Sequence, residues 1–150
     1  MSPNDIFIRP FEPADTLTLS QIWFNASMRA HSFVGEQRLR AQQVLIEEHY
    51  LPQAETWVAT AAGQPVGFIG LLDTFIGGLF VSPDHQGAGI GRQLVAHALK
   101  LKGELSLEVY TANQQAMAFY KSLGFRELSR RPIDDDGYPF ENARLHLGEP

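Results

Sequence analysis

The chain reads as one α/β domain of the α+β kind, and three observations predict it. Its 150 residues suit a single compact domain with a sizeable core. Apolar residues recur at helical spacing in several separate segments. Between the second and third expected helices, short runs rich in β-formers alternate with turn residues instead. No internal repeat, low-complexity tract or linker divides the sequence, so residues 1–150 are read as one domain.

Ile6-Phe7-Ile8 is a short apolar run closed by Pro10, which suggests an opening strand. Pro13 and Asp15 then stand where a helix begins. Leu19, Ile22, Trp23 and Ala26 follow at i, i+3, i+4 and i+7. After a loop holding Gly35, a second helix is expected over Glu36 to Tyr50, although its apolar periodicity is poor; Pro52 marks its end. Thr56 to Ala61 and Pro65 to Leu72 are β-rich and are joined by Ala62-Gly63-Gln64, a hairpin signal. Phe75 to Val81 completes this meander, and Ser82-Pro83-Asp84 ends it. A helix over Gly91 to Lys102 presents Leu94, Val95, Ala98 and Leu99 on one face. Leu105 to Tyr110 is a strand. A helix from about Asn113 carries Ala116, Phe119, Tyr120 and Leu123, with Gly124 as its stop. Phe125 to Ser129 and Ala143 to Leu147 close the chain as strands. The acidic run Asp134-Asp135-Asp136-Gly137 between them reads as a solvated turn.

Apolar residues make up 44% of the chain and charged residues 19%, the balance of an ordinary globular protein. Without cysteine there is no disulfide, thiolate metal site or thiol nucleophile, which fits a reducing cytoplasm. The formal net charge of −5 argues against a broad nucleic-acid footprint and leaves room for a cationic substrate. Met1 to Pro10 has no basic region followed by an apolar core, so no signal peptide is expected. The longest apolar stretch, Val66 to Leu72, is too short to span a bilayer. His49, His85, His97 and His146 are scattered without ligand spacing, and no metal is expected.

The most informative segment runs from Val81 to Arg92, where a strand ends, Gly87, Gly89 and Gly91 alternate, and a helix begins. Glycines let the backbone approach a ligand and adopt positive φ. Their N–H groups, backed by a helix N-terminus, make a nest for a phosphate or pyrophosphate. A P-loop needs Lys and Ser or Thr after the last glycine; Arg92-Gln93 stands there. A dinucleotide fold needs G-x-G-x-x-G in an early βαβ unit, not this spacing after a meander. A coenzyme A pyrophosphate, or a turn with no ligand, is the remaining reading.

Two motifs here resemble those of the GNAT superfamily of N-acetyltransferases. Gln86-Gly87-Ala88-Gly89-Ile90-Gly91, preceded by Val81-Ser82-Pro83-Asp84, is similar to its phosphate motif Gln/Arg-x-x-Gly-x-Gly/Ala. Asn113, Ala116, Phe119-Tyr120 and Leu123-Gly124-Phe125 are similar to its second signature. The opening Ile8-Arg9-Pro10 with Asp15 also resembles the usual family start, and the element order agrees along nearly the whole chain.

The resemblance implies a mixed, mostly antiparallel central sheet with one splayed parallel strand pair, flanked by about four helices. It implies an enzyme that moves an acetyl group from acetyl-coenzyme A to a primary amine by direct attack, with a small molecule, a peptide N-terminus or a lysine as acceptor. The coenzyme would lie between splayed strands Phe75–Val81 and Leu105–Tyr110. The backbone of Leu79, Phe80 and Val81 would hold the pantetheine arm, with the N–H of Phe80 or Val81 polarising the thioester. Amides from Gln86 through Arg92, Ala88 included, would hold the pyrophosphate. Arg92 adds a charge there, or is only a solvated first-turn residue. Asn113, Ala116, Phe119 and Tyr120 complete the cofactor side. Asn113 contacts the coenzyme, caps its helix, or does both.

Tyr120 matches the family's general acid, which protonates the coenzyme sulfur; a phenol, with an ordinary pKa of about 10, holds its proton at neutral pH. The other reading makes it simply core. The family fixes no base, and His31, Asp73 and Glu108 are the candidates. Trp23, Phe24, His31 and Phe33 are candidates for the acceptor pocket. The partners expected are a small-molecule or peptide amine, with neither nucleic acid nor membrane, in a monomer or homodimer. The competing function is a non-catalytic acyl-coenzyme A sensor or interaction module on the same fold.

Overall fold

The computed structural model describes residues 5–30 and 32–148. In chain order the elements are β1 (Ile6–Pro10), α1 (Thr16–Ala30), α2 (Glu36–Leu45), β2 (Glu55–Ala61), β3 (Gln64–Leu72), β4 (Phe75–Val81), α3 (Ile90–Lys102), β5 (Glu104–Tyr110), α4 (Gln114–Ser122), β6 (Arg126–Arg131) and β7 (Asn142–Gly148). The strands form one seven-stranded sheet in the order β1-β2-β3-β4-β5-β7-β6. Every neighbouring pair is antiparallel except β4 and β5. This is the expected mixed sheet with one parallel pair and four main helices.

Apolar periodicity decides which helix faces which side of the sheet. In α1, Leu19, Ile22, Trp23 and Ala26 are all buried, as their spacing predicts. Leu19, Ile22 and Trp23 join Leu39, Leu51, Val58 and Phe68 in a core on one face. The opposite face packs Ile69, Leu71, Ile76, Leu107 and Leu145 against Leu94, Val95 and Ala98 of α3 and against Met117 and Tyr120 of α4. Full burial of each large apolar side chain contributes on the order of 2 kcal/mol. Asp15 anchors the start of α1: it accepts from Arg9 at 2.8 and 2.9 Å and from the Glu12 N–H at 2.9 Å.

The second helix departs from the expected uniform Glu36–Tyr50. It is α-helical through Leu45, then widens into a π turn over Ile46–Tyr50, closed by the Leu51 N–H on the Ile46 carbonyl. Pro52 lies inside one last α turn, Leu51–Gln53. The core explains the widening. Leu39 and Leu51 are both buried, yet twelve residues of uniform α-helix would set them about 120° apart. The extra residue of the π turn sets the register back and lets both face inward. It is also why the apolar periodicity of the segment is poor.

One irregularity shapes the centre of the sheet. Gly70 pairs with Gly78 and Leu71 with Ile76, so Gly77 is an extra residue in β4, a β-bulge. A bulge bends its strand and increases the local twist. The parallel ladder to β5 stops there: Phe75 pairs with Ser106 and Ile76 with Leu107, and no pair follows. Beyond Ile76 the two strands splay apart.

The acidic run between β6 and β7 corrects the sequence reading of a solvated turn. Asp135 and Asp136 are exposed, but Asp134 is only 7% exposed. Its carboxylate accepts from Arg38 Nη2 at 2.9 Å, Tyr110 Oη at 2.9 Å and the N–H groups of Asp136 and Tyr138 at 3.0 Å. Arg38 also lies 3.8 Å above the Tyr138 ring. Burial disfavours the charge on Asp134, but the hydrogen bonds from Arg38, Tyr138 and Tyr110 outweigh it and hold its carboxyl below the usual range. Tyr110 is pushed up to about 12, by burial first and then by Asp134. A depressed carboxyl stabilises the fold above its unfolded pKa of about 3.9, and the contribution fades as pH falls through the lower folded value. Asp134→Asn should therefore cost on the order of 2 kcal/mol at pH 7. Thermal unfolding curves of the two proteins should converge as the pH drops well below about 4; equal melting temperatures at pH 7 would contradict the network.

Candidate active site

The splay between β4 and β5 opens two cavities that meet. One, of about 450 Å³, lies under the glycine loop. Gly87 and Gly89 have φ of 86° and 81°, in the left-handed region that favours glycine. Neither would bring a Cβ within 4 Å of another atom, so the loop faces open space. Gly89 caps α3, and the Gln93 N–H is the first to find an intrahelical carbonyl, that of Gly89 at 3.1 Å. The amides before it are left for a ligand, at the positive end of the helix dipole. The Gln86 side-chain amide donates to the Val81 carbonyl at 3.3 Å and ties the loop to the end of β4.

The backbone of β4 supplies the wall. The Ser82 N–H reaches the Val66 carbonyl of β3 at 2.8 Å. Alternation along an antiparallel ladder then turns the Leu79 and Val81 N–H groups toward the gap and that of Phe80 toward β3. Of the two amides considered for polarising the thioester, Val81 is thus on the open side.

The second cavity, of about 590 Å³, lies on the α1 and α2 side of the gap. Its lining includes four carboxylates, Glu108, Asp134, Asp135 and Asp136, which pair with three guanidiniums, Arg38, Arg131 and Arg144, so one negative charge is left in excess. Glu108 pairs with Arg131 at 2.5 Å and with Arg144 at 3.4 Å. Leu79, Phe80, Asn113, Ala116 and Tyr120 line both cavities and mark where they meet. Tyr120 is 8% exposed, with Phe119 and Phe125 ring centroids 5.1 and 5.3 Å away. Burial pushes its phenol pKa up, so the hydroxyl keeps its proton. Tyr120 is both a core residue and a cavity residue.

The structure brings most of the singled-out residues together. Leu79, Phe80, Val81, Gln86, Gly87, Gly89, Ile90, Gly91, Arg92, Asn113, Ala116, Phe119 and Tyr120 all line the first cavity; Ala88 does not. Asn113 also caps α4, accepting from the Ala116 N–H at 3.1 Å. Trp23 lines the second cavity and meets Phe80 edge-on at 6.3 Å. Phe24 is buried in the core beneath Arg40 and lines neither cavity. Phe33 stands outside both and packs on Tyr110 and Phe140 at 5.5 and 5.2 Å. Asp73 sits in the β3–β4 turn with φ of 56°, away from both cavities. Glu108 alone of the described base candidates lines the site; His31 lies outside the described residues.

Sequence reasoning misses Arg29 of α1, Gln115 of α4 and Tyr50, all of which line the cavities. No local pattern marks the first two; the Gly77-Gly78 pair in mid-strand was a readable sign of the bulge. Among the described residues no group of three His, Asp or Glu could hold a metal ion, and no helix is long and apolar enough to cross a membrane.

Comparison with known proteins agrees with this geometry. A family model described as an acetyltransferase (GNAT) domain matches residues 52–127, from the end of the second helix through the glycine loop and α4 into β6. The peptidyl-lysine N-acetyltransferase YjaB of Escherichia coli K12 is 38% identical over 128 residues, covering 85% of this chain and 86% of that protein. The solution structure of apo YjaB from Escherichia coli superposes with a TM-score of 0.87 at 35% identity, over 97% of this chain and 99% of that one. The PaiA N-acetyltransferase of Thermoplasma acidophilum, solved with coenzyme A, shares the fold at a TM-score of 0.81 and 18% identity, over 97% and 99% of the two chains. With the splayed strands, the glycine loop and the matched domain in agreement, the chain belongs to the GNAT family of acetyltransferases.

Proposed function

We propose that this chain transfers the acetyl group of acetyl-coenzyme A to a lysine side chain of a protein or peptide. The observation that carries the reading is the meeting of two unlike cavities at one gap. One is lined by amides suited to a pyrophosphate, while in the other four carboxylates outnumber the three arginines paired with them, a net negative charge that favours a cation. A lysine side chain is a primary amine on a long apolar stem and enters such a cleft end-on. The peptidyl-lysine activity in the name of YjaB favours this acceptor over a free small molecule.

The chemistry needs no covalent enzyme intermediate. The amine nitrogen attacks the thioester carbonyl carbon, a C–N bond forms, and the C–S bond breaks. The Val81 N–H faces the position where charge gathers on the carbonyl oxygen. Tyr120 gives its proton to the departing sulfur. Glu108 is the base candidate at the cavity, where it is paired with Arg131 and Arg144.

Release of free thiol from acetyl-coenzyme A tests the reading. Lysine-containing peptides should support turnover, and their products should carry the acetyl group on the lysine Nε. Turnover only with polyamines, free amino acids or aminoglycosides would reassign the acceptor. Coenzyme binding with no thiol release for any amine would favour the sensor.

Tyr120→Phe should lower kcat about 100-fold, within the usual range for a lost general acid, and largely spare acetyl-coenzyme A affinity. A raised phenol pKa also carries a sign. The donor is lost only as pH climbs above that value, so this group causes no descending limb in kcat below about pH 10. A limb centred lower that vanishes in the variant, or wild-type turnover by the variant, would contradict the role.

A further inference from the structure

Arg29 stands in the last turn of α1 and is exposed. With Ala26 and Ala30 it lines the smaller cavity, whose other walls include the glycine loop and the start of α3. Among the described residues no aspartate or glutamate lines this cavity. Arg29 itself has no ion pair or hydrogen bond among them. The guanidiniums at the acceptor cavity are, by contrast, each held by a carboxylate.

Two helix ends of opposite sign meet at this cavity. The free amides at the start of α3 form the positive end of one helix dipole. Helix α1 ends at Ala30, so its last carbonyls form the negative end of another. An anion lodged here is attracted by the first end and repelled by the second. A diphosphate carries two charges and feels that conflict twice. Backbone amides answer it with partial charges only, whereas Arg29 brings a full one on the very turn that repels.

A cation in a last turn also stabilises its own helix, but it does so from any side of the turn. Arg29 occupies the side that faces the cavity, and its neighbours in the lining, Ala26 and Ala30, are too small to stand between the guanidinium and a ligand. The planar fork of a guanidinium matches two oxygens of one phosphoryl group, which a helix dipole does not require.

We propose that Arg29 pairs with the diphosphate of acetyl-coenzyme A from the α1 side of the cavity and offsets the carbonyl end of α1 that the ligand meets. This rests on the acetyltransfer reading above and adds a binding residue from outside the glycine loop. The same helix carries Trp23 into the acceptor cavity, so the contact ties the coenzyme to a wall of the acceptor site.

The test uses calorimetry on the wild-type chain and Arg29→Ala, with acetyl-coenzyme A and with its 3′-dephospho form, which keeps the diphosphate. Both Kd values should rise about tenfold in the variant at low salt, the usual effect of losing a hydrogen-bonded charge. The ratio of variant to wild type should shrink at about 1 M salt, where exposed charges are screened. KM for a lysine-containing peptide, at saturating acetyl-coenzyme A, should not change. Unchanged Kd values, or a loss that salt leaves intact, overturn the assignment and leave Arg29 serving its helix alone. A rise with acetyl-coenzyme A that is absent with the dephospho form overturns it as well, because it moves the arginine to the 3′-phosphate. No binding of acetyl-coenzyme A by the wild-type chain would instead overturn the acetyltransfer reading and this one with it.

Discussion

The site depends on a ladder that stops early. Strands β4 and β5 pair through two residues each and then part, because the bulge at Gly77 bends β4 away. In the middle of a seven-stranded sheet this leaves backbone donors and acceptors without strand partners, and such groups are costly when kept from both water and ligand. The gap therefore has to be wet or filled. Its exposed edge offers a row of hydrogen bonds to an extended ligand, as a further strand would. The same bulge removes a side chain from β4, and the Tyr50 ring occupies that space.

The rest of the structure gives the gap two different sides. Toward α3, left-handed glycines and unsatisfied helix amides favour an anion. Toward α1 and α2, carboxylates from β5 and the β6–β7 loop favour a cation. Asp134 holds that second side in place. It joins α2 through Arg38, β5 through Tyr110, and the amides of its own loop. The loop that walls the cavity is thereby fixed to the elements on which it rests.

Local patterns made the frame readable. The period of α1, the capping Asn113 of α4 and the alternating glycines at the start of α3 are properties of neighbouring residues, and each element formed as they indicated. Features built from distant residues were not readable. Arg38 and Asp134 are far apart in sequence, so an acidic run looked solvated although one of its members is buried. Tyr50 reaches the site only because a π turn shifts a helix register and two glycines on other strands make room. Phe24 and Phe33, singled out together with Trp23, lie in the core and against Tyr110 and Phe140 and line neither cavity. Composition near a site says little about which side chains face it.

Hydrogen exchange of the backbone amides with and without acetyl-coenzyme A tests the central claim, that the unpaired edge of β4 and the loop before α3 receive one ligand. Protection should rise at Leu79 and Val81 and across Gln86 to Arg92, while Phe80, already turned toward β3, should change little. Binding that leaves those amides unprotected, or protects a different surface, would contradict the account.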